Sequence, residues 1–313
     1  MLDVKRLSIL REVANRGSFS AAADALYLSQ SAVSQQVATL EKEVGMKLLD
    51  RANGGPRLTD AGQVLISHAD AVICRLEEAE RELSSLAGLE GGSLRLISFP
   101  SASATVVTRA VSTFTSRHPE VEVRLAEGEP EDGVPALRQG DYDVAIVFDY
   151  PSSPLEVGRD VELTPLLTES MYLAMPADHP LAGSPVVDLA DFGDTAWLAG
   201  TCPSSCHDLV KNVCREAGFD PRIAYESDDY SVLQGLVAAG LGVTLLPDLV
   251  AVSTLRTDVA LVPISPESPR RRIWAATRAA GSRSPATEAM LATLQQVGRE
   301  FETEIAQSEE LAA

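Results

Sequence analysis

Between Ser29 and Gly45 the chain carries a helix punctuated at both ends, and this segment limits what the rest can be. Ser29 is an N-cap, its hydroxyl able to accept from an orphan N–H of the first turn. Gly45 can turn left-handed and close the last turn. Val33, Val37, Leu40 and Val44 recur at helical spacing and form one apolar stripe. The opposite face, towards the N-terminus, shows Gln30, Ser31, Ser34, Gln35 and Ala38, short polar and methyl groups with no negative charge to repel a phosphate. Glutamine can pair with adenine through two hydrogen bonds, serine can meet several base edges, and alanine can meet a thymine methyl.

The flanks suit a winged helix-turn-helix. Leu7, Leu10, Val13 and Ala14 mark a first amphipathic helix, which Gly17 ends. Ser18 caps a short, alanine-rich second helix ending near Leu26, and Tyr27-Leu28 is the tight connection to the third. Beyond Gly45, Leu48 and Leu49 lead to Arg51, a hairpin tip at 52–56, then Arg57 and Leu58. Arginines at the base or tip of such a wing suit phosphate contact or the minor groove.

The ordered run Phe19 to Leu26, Ser29 to Val37, Leu40-Glu41, Val44-Gly45, Leu48, Arg51 and Leu58 to Gly62 resembles the LysR-type transcriptional regulators. Two positions differ from the common family pattern. Leu49 stands where many members have phenylalanine, and Gln35 where many have arginine, which alters the expected base preference. By the residue types and this resemblance, Ser29, Gln30, Ser31, Ser34, Gln35, Arg51 and Arg57 are the expected contacts to double-stranded promoter DNA.

The net charge of −19 looks wrong for that partner, but it is unevenly spread. Residues 1–66 hold eight basic and seven acidic groups and carry +1; the remainder carries −20. An acidic body would repel non-specific DNA, so tight binding should need a proper site and more than one head. At 313 residues and 45% hydrophobic content the chain can bury two or three cores. It has no apolar run long enough for a membrane span. The first residues lack the apolar core of a signal peptide, so a cytoplasmic location is expected.

Thr59 should cap a long helix to about Leu86. Its seam of Ala61, Leu65, Val72, Leu76, Ala79, Leu83 and Leu86, with His68 in one slot, has coiled-coil-like spacing. Packing against its own domain is one use of that stripe. The resemblance implies another, a homodimer that places two heads on two half-sites and assembles into a homotetramer. Gly88 to Gly92 breaks the helix, and β-rich runs then alternate with helices, as in α/β units.

Phe114, Pro119, Glu127-Gly128, Leu137, Gly140, Tyr142-Asp143, Glu216 to Phe219, and Val237 to Val243 with Leu246-Pro247 resemble the effector domain of the same family, built like type 2 periplasmic binding proteins. The expected fold class is α/β. The expected domains are a winged helix-turn-helix (1–58), a linker and dimerisation helix (59–90), an effector domain (91–303) and a frayed acidic tail (304–313). Within the effector domain, lobe I would span 91–163 and 266–303, and lobe II 164–265, with crossovers near 163 and 266.

A cleft between such lobes is the expected small-molecule site. Loops after strand ends and helix N-termini should supply Ser98, Ser101, Ser103, Glu127, Val147, Phe148, Thr201, Ser204 and Asp228. Ser101 and Ser103 suit a carboxylate, or simply cap the helix that follows. Asp228 and Asp229 lean towards a cationic or polyhydroxylated ligand, or cap the helix at Tyr230.

Four cysteines, Cys74, Cys202, Cys206 and Cys214, are not expected to form a structural disulfide in the cytoplasm. Cys74 stands alone in the linker helix and is expected to be inert. The spacing of Cys202, Cys206, His207 and Cys214 is a weak zinc pattern, and no metal or other cofactor is expected. Cys214 before Glu216-Ala217-Gly218 resembles one cysteine of the family's peroxide sensors, with Cys206 one place off the other, so a redox-responsive regulator is the alternative. Inert packing is the third use of these thiols. No phosphate-binding loop, nucleophile elbow or zinc-protease motif occurs, so no enzyme is expected. A ligand-binding or enzymatic body carrying a DNA-binding head remains a further alternative.

Overall fold

The computed structural model describes residues 2–50, 55–86, 92–279 and 283–312. The chain divides into two compact units: Met1–Leu89 with Arg138–Gly140, and Glu90–Leu137 with Asp141–Ala313.

The first unit is helical. Helices α1 (Val4–Arg16), α2 (Phe19–Ala25) and α3 (Gln30–Val44) precede a two-strand ribbon of β1 (Leu49–Asp50) and β2 (Arg57–Leu58), and α4 (Asp60–Leu86) follows. Each of the first three starts on a side-chain cap. Asp3 accepts from Lys5 N, Ser18 from Ala21 N, and Ser29 from Ala32 N. Gly17 and Gly45 close α1 and α3 at φ 60° and 75°, where a Cβ would crowd the backbone. Leu10, Val13, Val33, Val37, Leu40 and Leu48 are fully buried and form the centre. Glu41 is buried with them. Its carboxylate accepts from Leu48 N (3.0 Å), Leu49 N (3.3 Å) and Lys47 Nζ (2.8 Å), which ties the end of α3 to the ribbon.

Thr59 caps α4, accepting from Gly62 N at 3.1 Å. The expected seam splits between two faces. Ala61 and Leu65 pack on the helical core beside Ala69 and Ile73, while Val72 and Leu76 remain exposed, joined by Val64. A four-residue step advances a helix by slightly more than one turn, so the buried and exposed stripes lie side by side. Arg51, Gly88 and the side chains of Cys74, Leu83 and Leu86 lie outside the described residues.

The second unit is α/β. In chain order come β3 (Ser93–Ser98), α5 (Pro100–Ala102), a π-helical turn (Ser103–Val107), α6 (Thr108–Arg117), β4 (Glu122–Glu127), α7 (Pro130–Arg138) and β5 (Val144–Asp149). The long strand β6 (Val161–Pro176) leads to β7 (Val187–Asp188), β8 (Ala196–Ala199), α8 (Ser205–Glu216), β9 (Arg222–Glu226), α9 (Tyr230–Ala238), β10 (Thr244–Pro247) and α10 (Asp248–Ala251). Then β11 (Val259–Val262), β12 (Ile264–Ser265), β13 (Arg270–Arg278) and α11 (Pro285–Ala312) complete the chain.

Strands β6 and β13 pair antiparallel from Val161↔Arg278 to Ser170↔Arg270 and run through both lobes. On one side β13 continues into β5, β3 and β4; on the other, the second half of β6 pairs with β10 and β11. The two crossovers are thus one ribbon. Sequence alternation marks only its end at Met171 to Met175, because Pro165 and the polar residues 168–170 interrupt the pattern. The acidic tail continues α11 to Ala312 instead of fraying at 304; Phe301 and Ile305 are buried and anchor the helix there.

Candidate functional site

The recognition face lies at the start of α3. Ser29, Gln30, Ser31 and Gln35 are exposed and Ser34 is half-buried, so five of the seven residues expected at DNA share one described helix end. Ser29 is partly committed already: its hydroxyl caps Ala32 N at 3.2 Å and lies 3.0 Å from the Ser31 hydroxyl. Arg57 is exposed on β2, opposite Asp50 in the ribbon.

The second candidate lies between the lobes of the α/β unit, around Arg271 on β13. Arg271 is 1% exposed. Its Nε donates to Glu169 Oε1 at 2.7 Å, and its Nη2 donates to the Ser101 hydroxyl at 3.0 Å. The Tyr230 hydroxyl stands 3.4 Å from Nη1. The guanidinium lies 5.0 Å from the ring centres of both Phe99 and Phe148, within cation–π range. Burial opposes the charge on Arg271, but the Glu169 carboxylate together with the Tyr230, Tyr150 and Cys206 groups around it outweighs that cost and raises its pKa. Glu169 is itself buried and also accepts from Leu249 N at 2.8 Å.

Above this pair the lobes enclose a cavity of ≈ 30 Å³, lined by Phe99, Ser101, Phe148 and Tyr150 from one lobe and by Ser204, Cys206, Asp228 and Tyr230 from the other. The Cys206 thiol is 3.6 Å from the Tyr150 hydroxyl, and burial pushes its pKa up to about 11. Glu129 borders the cavity; burial first, then the charge of Glu131, pushes its pKa up to about 7. Gly200 belongs to the wall because nothing larger fits. A Cβ there would stand 2.9 Å from Cys206 Cβ and 3.0 Å from Ser204 Oγ.

Of the nine residues expected in the cleft, Ser101, Phe148, Ser204 and Asp228 line this cavity. The other five do not. Ser98 is fully buried in β3 and turns its hydroxyl to Phe99 O. The Ser103 hydroxyl donates back to Ser98 O at 3.3 Å. Glu127 is exposed at the end of β4. Val147 alternates to the far face of β5, among Ile97, Val134 and Leu137. Thr201 is exposed, its N–H held by Asp228 Oδ1 at 2.8 Å. Neither Ser101 nor Ser103 caps the N-terminus of the helix: Phe99 holds that position and Pro100 the first turn. Asp229 does cap α9, while Asp228 does not. Tyr230 closes the rim segment 228–230 that the sequence marks, whereas nothing in the sequence singles out Arg271, Glu169, Tyr150 or Glu129 as cleft residues. The only hint was the arginine triplet 270–272 opening a strand, where alternation must turn one of three arginines inward.

Cys214 is fully buried in the main core, and burial pushes its pKa up to about 12. Cys202 is exposed. His207 is buried, with Nδ1 3.1 Å from Gly200 O. Among the described residues no three histidine, cysteine or acidic side chains converge on a metal position, and no helix is long and apolar enough to cross a membrane.

Two family models match the chain: the bacterial regulatory helix-turn-helix protein of the lysR family over residues 4–63, and the LysR substrate binding domain over residues 87–299. A probable HTH-type transcriptional regulator, LrrA of Synechococcus elongatus, is 32% identical over 96% of this chain and 98% of its own length. The transcriptional dual regulator GltC of Bacillus subtilis is 29% identical over 84% of this chain and 86% of its own. Among solved structures, a full-length OxyR variant from Pseudomonas aeruginosa has a TM-score of 0.72 at 24% identity, covering 96% of this chain and 97% of that one.

Proposed function

The chain belongs to the LysR family of bacterial transcriptional regulators, and from that premise we propose how its own residues do the work. Gln30, Ser31, Ser34 and Gln35 read base edges in the major groove, Ser29 fixes the start of the reading helix, and Arg57 with Arg51 holds the phosphate backbone. A small polar metabolite binds between the lobes, against Arg271, Ser101, Phe148, Ser204, Asp228 and Tyr230, and so changes promoter occupancy. The protein is a sensor and not an enzyme, and it acts in the cytoplasm beside the chromosome. Exposed Val64, Val72 and Leu76 on α4 form the homodimer seam, and dimers pair into tetramers.

The observation that carries the effector site is the cavity itself. Both lobes line it around one buried arginine, yet ≈ 30 Å³ is room for about one water. A metabolite therefore enters only when the lobes part, which gives binding a direct hold on their arrangement. Two measurements test this. Thermal-shift screening of a metabolite panel, followed by operator footprinting, should find a ligand whose effect is lost in both Ser101→Ala and Tyr230→Phe; a ligand indifferent to both would move the site elsewhere. Leu76→Glu places a charge in the seam and should yield monomers by sedimentation. An unchanged species would exclude this face.

A further inference from the structure

We infer that Tyr27, in the turn before the reading helix, grips the operator's sugar–phosphate backbone through its phenolic hydroxyl. The inference rests on α3 meeting DNA and adds a contact outside that helix.

Three observations lead to it. First, Tyr27 has φ 53°, a positive value that every other described residue sharing it meets as glycine. Left-handed backbone brings Cβ against the following carbonyl, so folding alone favours glycine here. Second, the side chain is 96% exposed, and its hydroxyl has no partner among the described residues. The ring therefore gives nothing back to the core for the strain it brings. Third, no lysine or arginine occurs from Gly17 to Glu41, a stretch that includes α2, the turn and most of α3. A helix lying in the major groove is flanked by phosphates on both sides. Within this stretch a phosphate can be met only by backbone N–H groups and neutral side-chain donors; the cations come from outside it, from Arg6 beside Gln36 and from the ribbon.

Tyr27 is the longest such donor in that stretch. Residues 27–31 are all exposed, so the ring continues the surface formed by Ser29, Gln30 and Ser31. Its place outside α3 directs it to the backbone that borders the groove, not to base edges within it. The phenol donates to a non-bridging phosphate oxygen. That contact positions the head and carries no sequence information.

Full-length Tyr27→Phe and Tyr27→Gly would be titrated by fluorescence anisotropy onto an operator duplex and an unrelated duplex over a range of salt. Tyr27→Phe should weaken both by about 3- to 10-fold and leave the salt slope unchanged, because a neutral donor displaces no condensed counterion. Tyr27→Gly should lose at least as much affinity while its melting temperature rises. Wild-type binding by both variants, or a lowered melting temperature for Tyr27→Gly, overturns the inference. Gln35→Ala, measured alongside, separates two kinds of failure. If its base preference relaxes while the Tyr27 variants bind normally, α3 still reads DNA and only Tyr27 has been misassigned. If no variant changes binding, α3 does not meet DNA and both fall.

Discussion

Glu131 on α7 accepts from both the backbone N–H and the hydroxyl of Ser205 at the first turn of α8, at 3.2 and 3.3 Å. The two helices belong to opposite lobes, so this pair is a latch across the mouth of the cavity. It uses a free N–H at a helix N-terminus, where a carboxylate is favoured by hydrogen bonding and by the helix dipole together. A contact of this kind in solvent contributes about 0.5–1 kcal/mol. Glu131→Ala should therefore open the lobes more often without unfolding them. Hydrogen exchange at the amides of residues 205–209 should quicken severalfold, with protection of the β6–β13 ribbon unchanged. Equal exchange rates at 205–209 would show that the lobes are held shut elsewhere.

Glu129 makes stability depend on pH. Its folded-state pKa is pushed up to about 7, by burial and then by Glu131, from an ordinary value of 4.5. The folded state then holds a proton that the unfolded chain releases, so this contribution is intact below about 4.5 and is lost as pH rises through about 7. Glu129→Gln removes the charge that folding disfavours. The variant should match wild type near pH 4.5 and exceed it by about 1–2 kcal/mol at pH 8. The check is denaturant unfolding of full-length protein at both pH values, and parallel curves across the range would rule out Glu129 as the cause.

Glu41 has the opposite sign. Burial works against its charge, but the hydrogen bond from Lys47 and those from Leu48 N and Leu49 N outweigh it, and its pKa is lowered. The stabilisation is present above the unfolded pKa and fades as pH falls through the lowered one. Glu41→Ala leaves two buried N–H groups without an acceptor and should cost about 2–3 kcal/mol at pH 7. In calorimetry of the full-length protein, the transition of the helical unit should move down while that of the α/β unit stays. A shift confined to the α/β unit would contradict this placement.

The head was legible in the sequence because its determinants are local. Ser29 and Gly45 bracket α3 within one helix, and the polar face between them needs no distant partner to be recognised. The cleft was only half legible, since its central group depends on residues far apart in the chain. Arg271 meets Glu169, 102 residues away, and Ser101, 170 away. Either acid or hydroxyl alone reads as surface. The sequence marks the loops but not always the residue: it points to Glu127, whereas Glu129 two places on borders the cavity. The sequence offers both Val147 and Phe148, adjacent on β5, although strand alternation admits only Phe148 to the cavity.

The cysteines give the last prediction. Cys206 and Cys214 sit eight residues apart on α8, about 12 Å along a regular helix, whereas a disulfide needs Cα atoms within about 7 Å. Bridging them requires the helix to unwind through Leu209, Val210 and Val213, all buried in the main core. Reactivity also opposes it. Burial pushes the thiol pKa values up to about 11 and about 12, so both groups stay protonated near neutral pH, and the thiol is the poor nucleophile of the pair. The Cys206 thiol instead lies 3.6 Å from the Tyr150 hydroxyl inside the cavity wall, a place that serine can fill. Micromolar hydrogen peroxide should leave operator binding unchanged, and Cys206→Ser should footprint as wild type. Rapid formation of a Cys206–Cys214 disulfide by mass spectrometry, together with an altered footprint, would make this regulator a redox switch and its cavity a site of covalent signalling.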